Sequence, residues 1–191
     1  MRILRAGDHK RMPWKNGKGE TVEIAVSPPG ASIDDFDWRI SMAAVAEDGP
    51  FSIFPGIDRT LAVLDGNGMV LEIDGSAAVL LTTQSTPLAF PADIPVTARL
   101  EDGAITDLNV MTRRAGLTHS LARIDIDGAT RLPLPSPTCL FLCHRGMVSF
   151  RRSGETGTLA AGDTLLIEDM TIAALDIDGQ ARCYLISIAT H

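Results

Sequence analysis

Between Trp38 and Ile188 the chain is a succession of short runs rich in Val, Ile, Leu, Thr and Phe, cut about every 8 to 12 residues by Gly, Pro or Asp. Runs of that kind, with little helical periodicity, bury themselves as paired strands. In Thr60 to Ile73, Asp65-Gly66-Asn67-Gly68 separates two apolar runs, the chemistry of a tight hairpin whose turn needs positive φ. Leu88–Pro91, Val96–Leu100 and Ile105–Thr112 read as further strands, with Glu101-Asp102-Gly103 turning the chain between the last two. The expectation is an all-β protein.

A second block resembles the first. "LAVLDGNGMVLEIDG" begins at Leu61 and "LFLCHRGMVSFRRSG" begins 79 residues later at Leu140, each reading as strand, Gly turn, Met-Val, strand, Gly turn. That spacing is one small barrel's worth of chain, so the repeat predicts two barrels rather than a solenoid. Arg131-Leu132-Pro133-Leu134-Pro135-Ser136-Pro137 is expected to be an ordered crossing, because Pro fixes φ and blocks strand pairing.

The 191 residues, 45% of them hydrophobic, suffice for a real core. A net charge of −7 with scattered acids leaves no basic stripe for nucleic acid. No run approaches the ~18 apolar residues of a membrane span and the first residues lack a signal peptide, so a cytoplasmic protein is expected, with no membrane partner. Cys139, Cys143 and Cys183 are too few and too odd in number for a secreted disulfide framework and read as free buried thiols.

The segment "TLAAGDTLLIE", Thr158 to Glu168, resembles the late motif of cupins, where a Gly-Asp turn leads into a buried strand. A sharper resemblance lies upstream in "PWKNGKGETVEI" from Pro13, "WRIS" from Trp38, "GPFSIFPGIDR" from Gly49 and "DLNVMTR" from Asp107. Together these resemble the HutD/Ves family over most of residues 1–115. The resemblance implies a bicupin, two RmlC-like double-stranded β-helix (jelly-roll) barrels in one chain, divided at 1–115 and 116–191. It also implies an association with histidine utilisation and a regulatory or metabolite-sensing role. Ala92-Asp93 stands where a Gly-Asp turn is expected.

Metal-bearing cupins gather two closely spaced His, a Glu and a later His, because an open facial site needs convergent imidazole and carboxylate donors. This chain has only His9, His119, His144 and His191, with no H-x-H pair, and Phe54-Pro55-Gly56-Ile57-Asp58-Arg59 occupies the early motif position. No metal and no cofactor are expected. Arg59 there would repel a cation and attract an anion. Cys139 and Cys143 share a strand face but sit ~13 Å apart along it, too far to chelate one ion without a bend.

The candidate ligand contacts are Trp14, Lys15, Asn16, Thr21, Arg39, Ser41, Arg59 and Asn109. Lys15 and Asn16 lie in a Gly-rich segment beside Trp14, suited to holding a carboxylate against an apolar wall or to capping a barrel with a solvated turn. The family resemblance favours the binding role for Asn16 and Thr21. Arg39 and Ser41 alternate with Trp38 and Ile40, so they share the other strand face, and an Arg there needs either a ligand or an internal partner such as Glu23 or Glu72. Asn109 shares a face with Asp107, Met111 and Arg113. Phe51, Phe54 and Pro55 read as core and turn residues. The leading expectation is a module that binds a small organic acid; a homodimer is compatible with it. The alternatives are a metal-independent isomerase or hydrolase with Glu23 as base, and a scaffold with a filled lumen.

Overall fold

The computed structural model describes residues 1–14, 19–168 and 174–191. In chain order the strands are β1 (Arg2–Leu4), β2 (Lys10–Pro13), β3 (Gly19–Ser27), β4 (Trp38–Val45), β5 (Gly49–Pro50), β6 (Ile57–Asp65), β7 (Met69–Ile73), β8 (Val79–Leu81) and β9 (Leu88–Pro91). They continue with β10 (Val96–Leu100), β11 (Ile105–Arg113), β12 (Leu117–Asp127), β13 (Thr130–Pro133), β14 (Thr138–Arg152), β15 (Glu155–Ala160), β16 (Thr164–Glu168) and β17 (Ala174–Thr190). The protein is all-β as expected. It divides into two compact units, one of Lys10–Thr118 and one of Met1–His9 with His119–His191.

In the Lys10–Thr118 unit, β2-β3-β4-β11-β6-β9 form one antiparallel sheet and β5-β10-β7-β8 another. Alternation builds the core: Leu61 and Val63 of β6, Met69 and Leu71 of β7, and Val96 and Ala98 of β10 are buried and meet Leu81, Phe90 and Ile105. Asp65-Gly66-Asn67-Gly68 does not close the hairpin its composition suggests. β6 pairs with β11 and β9, whereas β7 pairs with β10 and β8, so the turn carries the chain from one sheet to the other. Glu101-Asp102-Gly103 does the same between β10 and β11. The two corners touch: Asn67 Nδ2 donates to the Asp102 carbonyl at 3.1 Å. A Cβ on Gly66 would lie 2.6 Å from the Ala104 carbonyl oxygen. With φ at +92°, Gly66 is required both for the backbone angle and for this approach.

The other unit repeats this pairing with the corner straightened. β14 runs unbroken from Thr138 to Arg152, pairing with β16 in its first half, β15 in its second and β17 throughout. Gly146 therefore lies inside one strand, opposite Ala181, not in a turn between two: the bulge is at His144, where the register shifts between Cys143 and Arg145, and Gly146 just beyond it has φ +87° and no room for a Cβ against the Gln180 carbonyl. Cys139, Cys143 and Cys183 are free and buried. Only the start of the Pro-rich stretch is regular, as β13 on the edge of β17, where Pro133 needs no ladder hydrogen bond.

The first nine residues belong to this unit. β1 pairs with β16, and Asp163 fastens it by accepting from the Ala6 N–H at 3.0 Å and from Arg5 Nη1 at 2.7 Å. In the other unit Asp93 accepts from the Gly56 N–H at 3.2 Å and from Arg114 at 3.0 and 3.1 Å. Ala92-Asp93 thus performs the anchoring that Gly162-Asp163 performs in the other unit, and the first position need not be Gly.

Candidate functional site

One face of the six-stranded sheet walls a cavity of about 970 Å³ within the Lys10–Thr118 unit. Strand register decides which side chains reach it. Ser41 stands opposite Asn109 and Glu23, Ala43 opposite Asp107 and Thr21, and Met111 opposite both Arg39 and Arg59. Trp38 and Ile40 point the other way and are buried. Thr21, Arg39, Ser41, Arg59 and Asn109 therefore line one cavity, with Asp107 among them. Trp14 joins them as a wall: its indole Nε1 donates to Thr21 Oγ1 at 2.9 Å, and its backbone N–H donates to the Gly19 carbonyl at 2.9 Å. Lys15 and Asn16 lie outside the described residues.

The two arginines differ in what holds them. Arg39 Nε donates to Glu23 Oε2 at 2.7 Å, so its charge is matched inside the protein and the Glu23 carboxylate is occupied. A bulge in β3 between Glu23 and Ala25 sets this partner in place. Glu72, on β7, is exposed.

Arg59 is only 4% exposed, yet among the described residues it forms no ion pair and its Nε has no hydrogen-bond partner. Its guanidinium carbon lies 5.1, 5.3 and 6.0 Å from the ring centres of Phe51, Phe54 and Phe90, and Nη2 makes a weak contact to Met111 Sδ at 3.8 Å. Burial lowers its pKa to about 10, with Asp107 opposing the shift and Arg39 adding to it. Phe51 and Phe54 pack at the edge of the core, as their apolar character predicts, but they also line the cavity and hold this cation.

Asp107 is the member that strand alternation implied but chemistry did not single out. It is 1% exposed and accepts from Asn109 Nδ2 at 2.6 Å. Burial pushes its carboxyl up to about 7 against the opposing pull of Arg59, the Asn109 amide and the Ala43 backbone. Its presence on the Asn109 face was the available signal; the depth of its burial was not. Among the described residues, no three or more His, Cys, Asp or Glu side chains are grouped so as to hold a metal ion. No helix there is long and apolar enough to cross a membrane.

Antiparallel sheets whose inner face lines a cavity place the protein with cupin-like folds. A cupin 2 conserved barrel domain protein from Leptotrichia buccalis aligns with a TM-score of 0.59 over 94% of this chain and 96% of that one, at 11% identity, a likeness of fold alone. Within that class the chain belongs to the HutD family, whose sequence model matches residues 6–185. It is 35% identical over 193 residues to an uncharacterized 21.2 kDa protein in the hutC 3′ region of Pseudomonas putida, covering 100% of this chain and 98% of that one. HutD from Pseudomonas fluorescens aligns with a TM-score of 0.82 at 35% identity, over 100% of this chain and 98% of that one. Protein Ves of Citrobacter koseri is 41% identical over 111 residues, 56% of each chain.

Proposed function

We propose that this protein is a metal-free cytoplasmic bicupin, one barrel to each unit, that binds a small carboxylate metabolite in the cavity of its Lys10–Thr118 unit. The binding is read as sensing or regulating histidine breakdown, in keeping with the family and with the hutC neighbourhood of the P. putida relative. One observation carries the reading: Arg59 is a buried cation with an unpartnered Nε at the wall of a cavity. A lone buried charge is costly unless something pairs with it, and a carboxylate is the group whose geometry a guanidinium matches. Ser41, Asn109, Thr21 and Trp14 supply polar and apolar contacts around it, and Lys15 and Asn16 complete the proposed contact set. Calorimetry with urocanate and formylglutamate tests the reading. Binding should be seen for at least one acid and be lost in Arg59→Ala; binding unchanged by that substitution would sink the idea.

Asp107 supports a second reading, acid–base turnover of the bound acid. A carboxyl near 7 inside the cavity is poised for proton transfer, whereas Glu23 is tied to Arg39. Conversion of a bound acid that disappears in Asp107→Asn would place this reading first.

A further inference from the structure

A side-chain amide has a donor end and an acceptor end, and what lies beside it decides which end meets a ligand. Asn109, on β11, lines the cavity and is flanked across the sheet by Ser41 of β4 and Leu61 of β6. Two residues back on the same strand face, Asp107 Oδ1 accepts from Asn109 Nδ2 at 2.6 Å. Asp107 is itself buried and bonded to the Ala43 backbone, which holds it in place. Turning the amide over would set Asn109 Oδ1 against the carboxylate, two acceptors with no proton between them. Nδ2 is thereby committed to the wall, and Oδ1 is the acceptor that the amide presents to the cavity.

Resting on the carboxylate-binding reading, we infer that Asp107 fixes the Asn109 amide with its oxygen toward the cavity, so that the ligand is an acid carrying an N–H or O–H donor a few bonds from its carboxylate. Asn109 is then a specificity-determining residue, and Asp107 a positioning residue that acts through it. A ligand that fills the cavity strips water from Oδ1, and a buried acceptor left without a donor is costly. The second N–H on Nδ2 can still donate, but it does nothing for the oxygen. Arg59, the anchor for the carboxylate, lies on β6 two residues before Leu61, diagonal to Asn109 in the register. Diagonal neighbours on a sheet stand roughly 7–8 Å apart, a gap that a small ring or short chain held by the long Arg59 side chain spans.

Pyrrole-2-carboxylate and furan-2-carboxylate, alike in shape and charge, differ in a ring N–H against a ring oxygen, and the two 3-carboxylates place the same difference one bond further on. Calorimetry on the full chain at pH 8 compares them, above the pH of about 7 at which the Asp107 carboxyl titrates, where it has no proton to lend the amide. In at least one pair the pyrrole acid should bind at least about tenfold more tightly than the furan acid. Asn109→Leu should bring that ratio near one. Asp107→Asn, whose amide can donate to Asn109 as well as accept from it, should shrink the ratio, whereas a loss of packing alone would weaken both acids of a pair alike. The ratio on the unaltered protein stands as the test if neither variant folds. Furan acids that bind as tightly in both pairs, or a ratio that survives Asn109→Leu or Asp107→Asn, would overturn the inference while leaving anion binding intact. If none of the four acids binds, the inference falls, and urocanate and formylglutamate decide whether the carboxylate-binding reading falls with it.

Discussion

Asp107 and Asp163 are both buried carboxylates, and their surroundings push them in opposite directions. At Asp163 burial raises the pKa, but the Ala6 N–H, Arg5 and the Ala160 N–H together outweigh it, so the folded value lies below the usual one. That group stabilises the fold at neutral pH, and its contribution is lost as pH falls through the depressed value. Asp163→Asn should cost about 2 kcal/mol at pH 7 by denaturant titration, since a charged acceptor loses its donors' full strength. Asp107 is the reverse: its folded value of about 7 exceeds the unfolded one. Its ionisation opposes folding above pH 7, and stability is recovered as pH falls from there toward the ordinary carboxylate range. The Tm gain between pH 8 and pH 5.5 should therefore be smaller in Asp107→Asn than in the unaltered protein. Arg59→Met should raise the unliganded Tm while abolishing acid binding, because it removes a lone buried charge. Alternation made the shared face of Arg39, Ser41 and Asn109 legible in the sequence, and the lost cupin ligand position drew attention to Arg59. Which carboxylate would be tied up and which left to titrate depended on burial and on a bulge, and neither has a composition.

At the scale of strands, the sequence states where the chain turns but not what the flanking strands pair with. Asp-Gly-Asn-Gly has the same residues whether it closes a hairpin or lifts the chain into a second sheet, and here the packing of Gly66 against Ala104 decides for the second. Gly146 shows the complementary case, a Gly that reads as a turn and sits inside a long strand, two residues past the bulge at His144. Gly146→Ala combines a left-handed backbone with a Cβ driven into the Gln180 carbonyl. It should lower stability by about 1 kcal/mol or more, measured as a shift in denaturant midpoint. Gly19→Ala tests the cavity wall instead. Its φ is ordinary, but the new Cβ would meet the Ala44 carbonyl and lie 2.9 Å from the Trp14 ring. Displacement of the indole should appear as a change in tryptophan fluorescence together with weaker acid binding.

For the whole molecule, the two copies of the repeat, beginning at Leu61 and Leu140, fall in different compact units. The ownership of the first nine residues was not legible, because the partner of β1 lies far along the chain and nothing local in Arg2–Leu4 names it. One unit is thus written into the other: Lys10–Thr118 interrupts Met1–His9 and His119–His191. On the ribosome this fixes an order of events. The cavity-bearing unit emerges complete and can fold at once, whereas the leading arm must wait until Thr164–Leu166 appear before Ile3 and Leu4 find their partners. At about 5–20 residues per second that is roughly 10 to 30 seconds spent as an unpaired strand with apolar residues. Arg2–Leu4 is thus made early and placed late, so the nascent protein carries an unpaired apolar strand while the cavity-bearing unit is already formed.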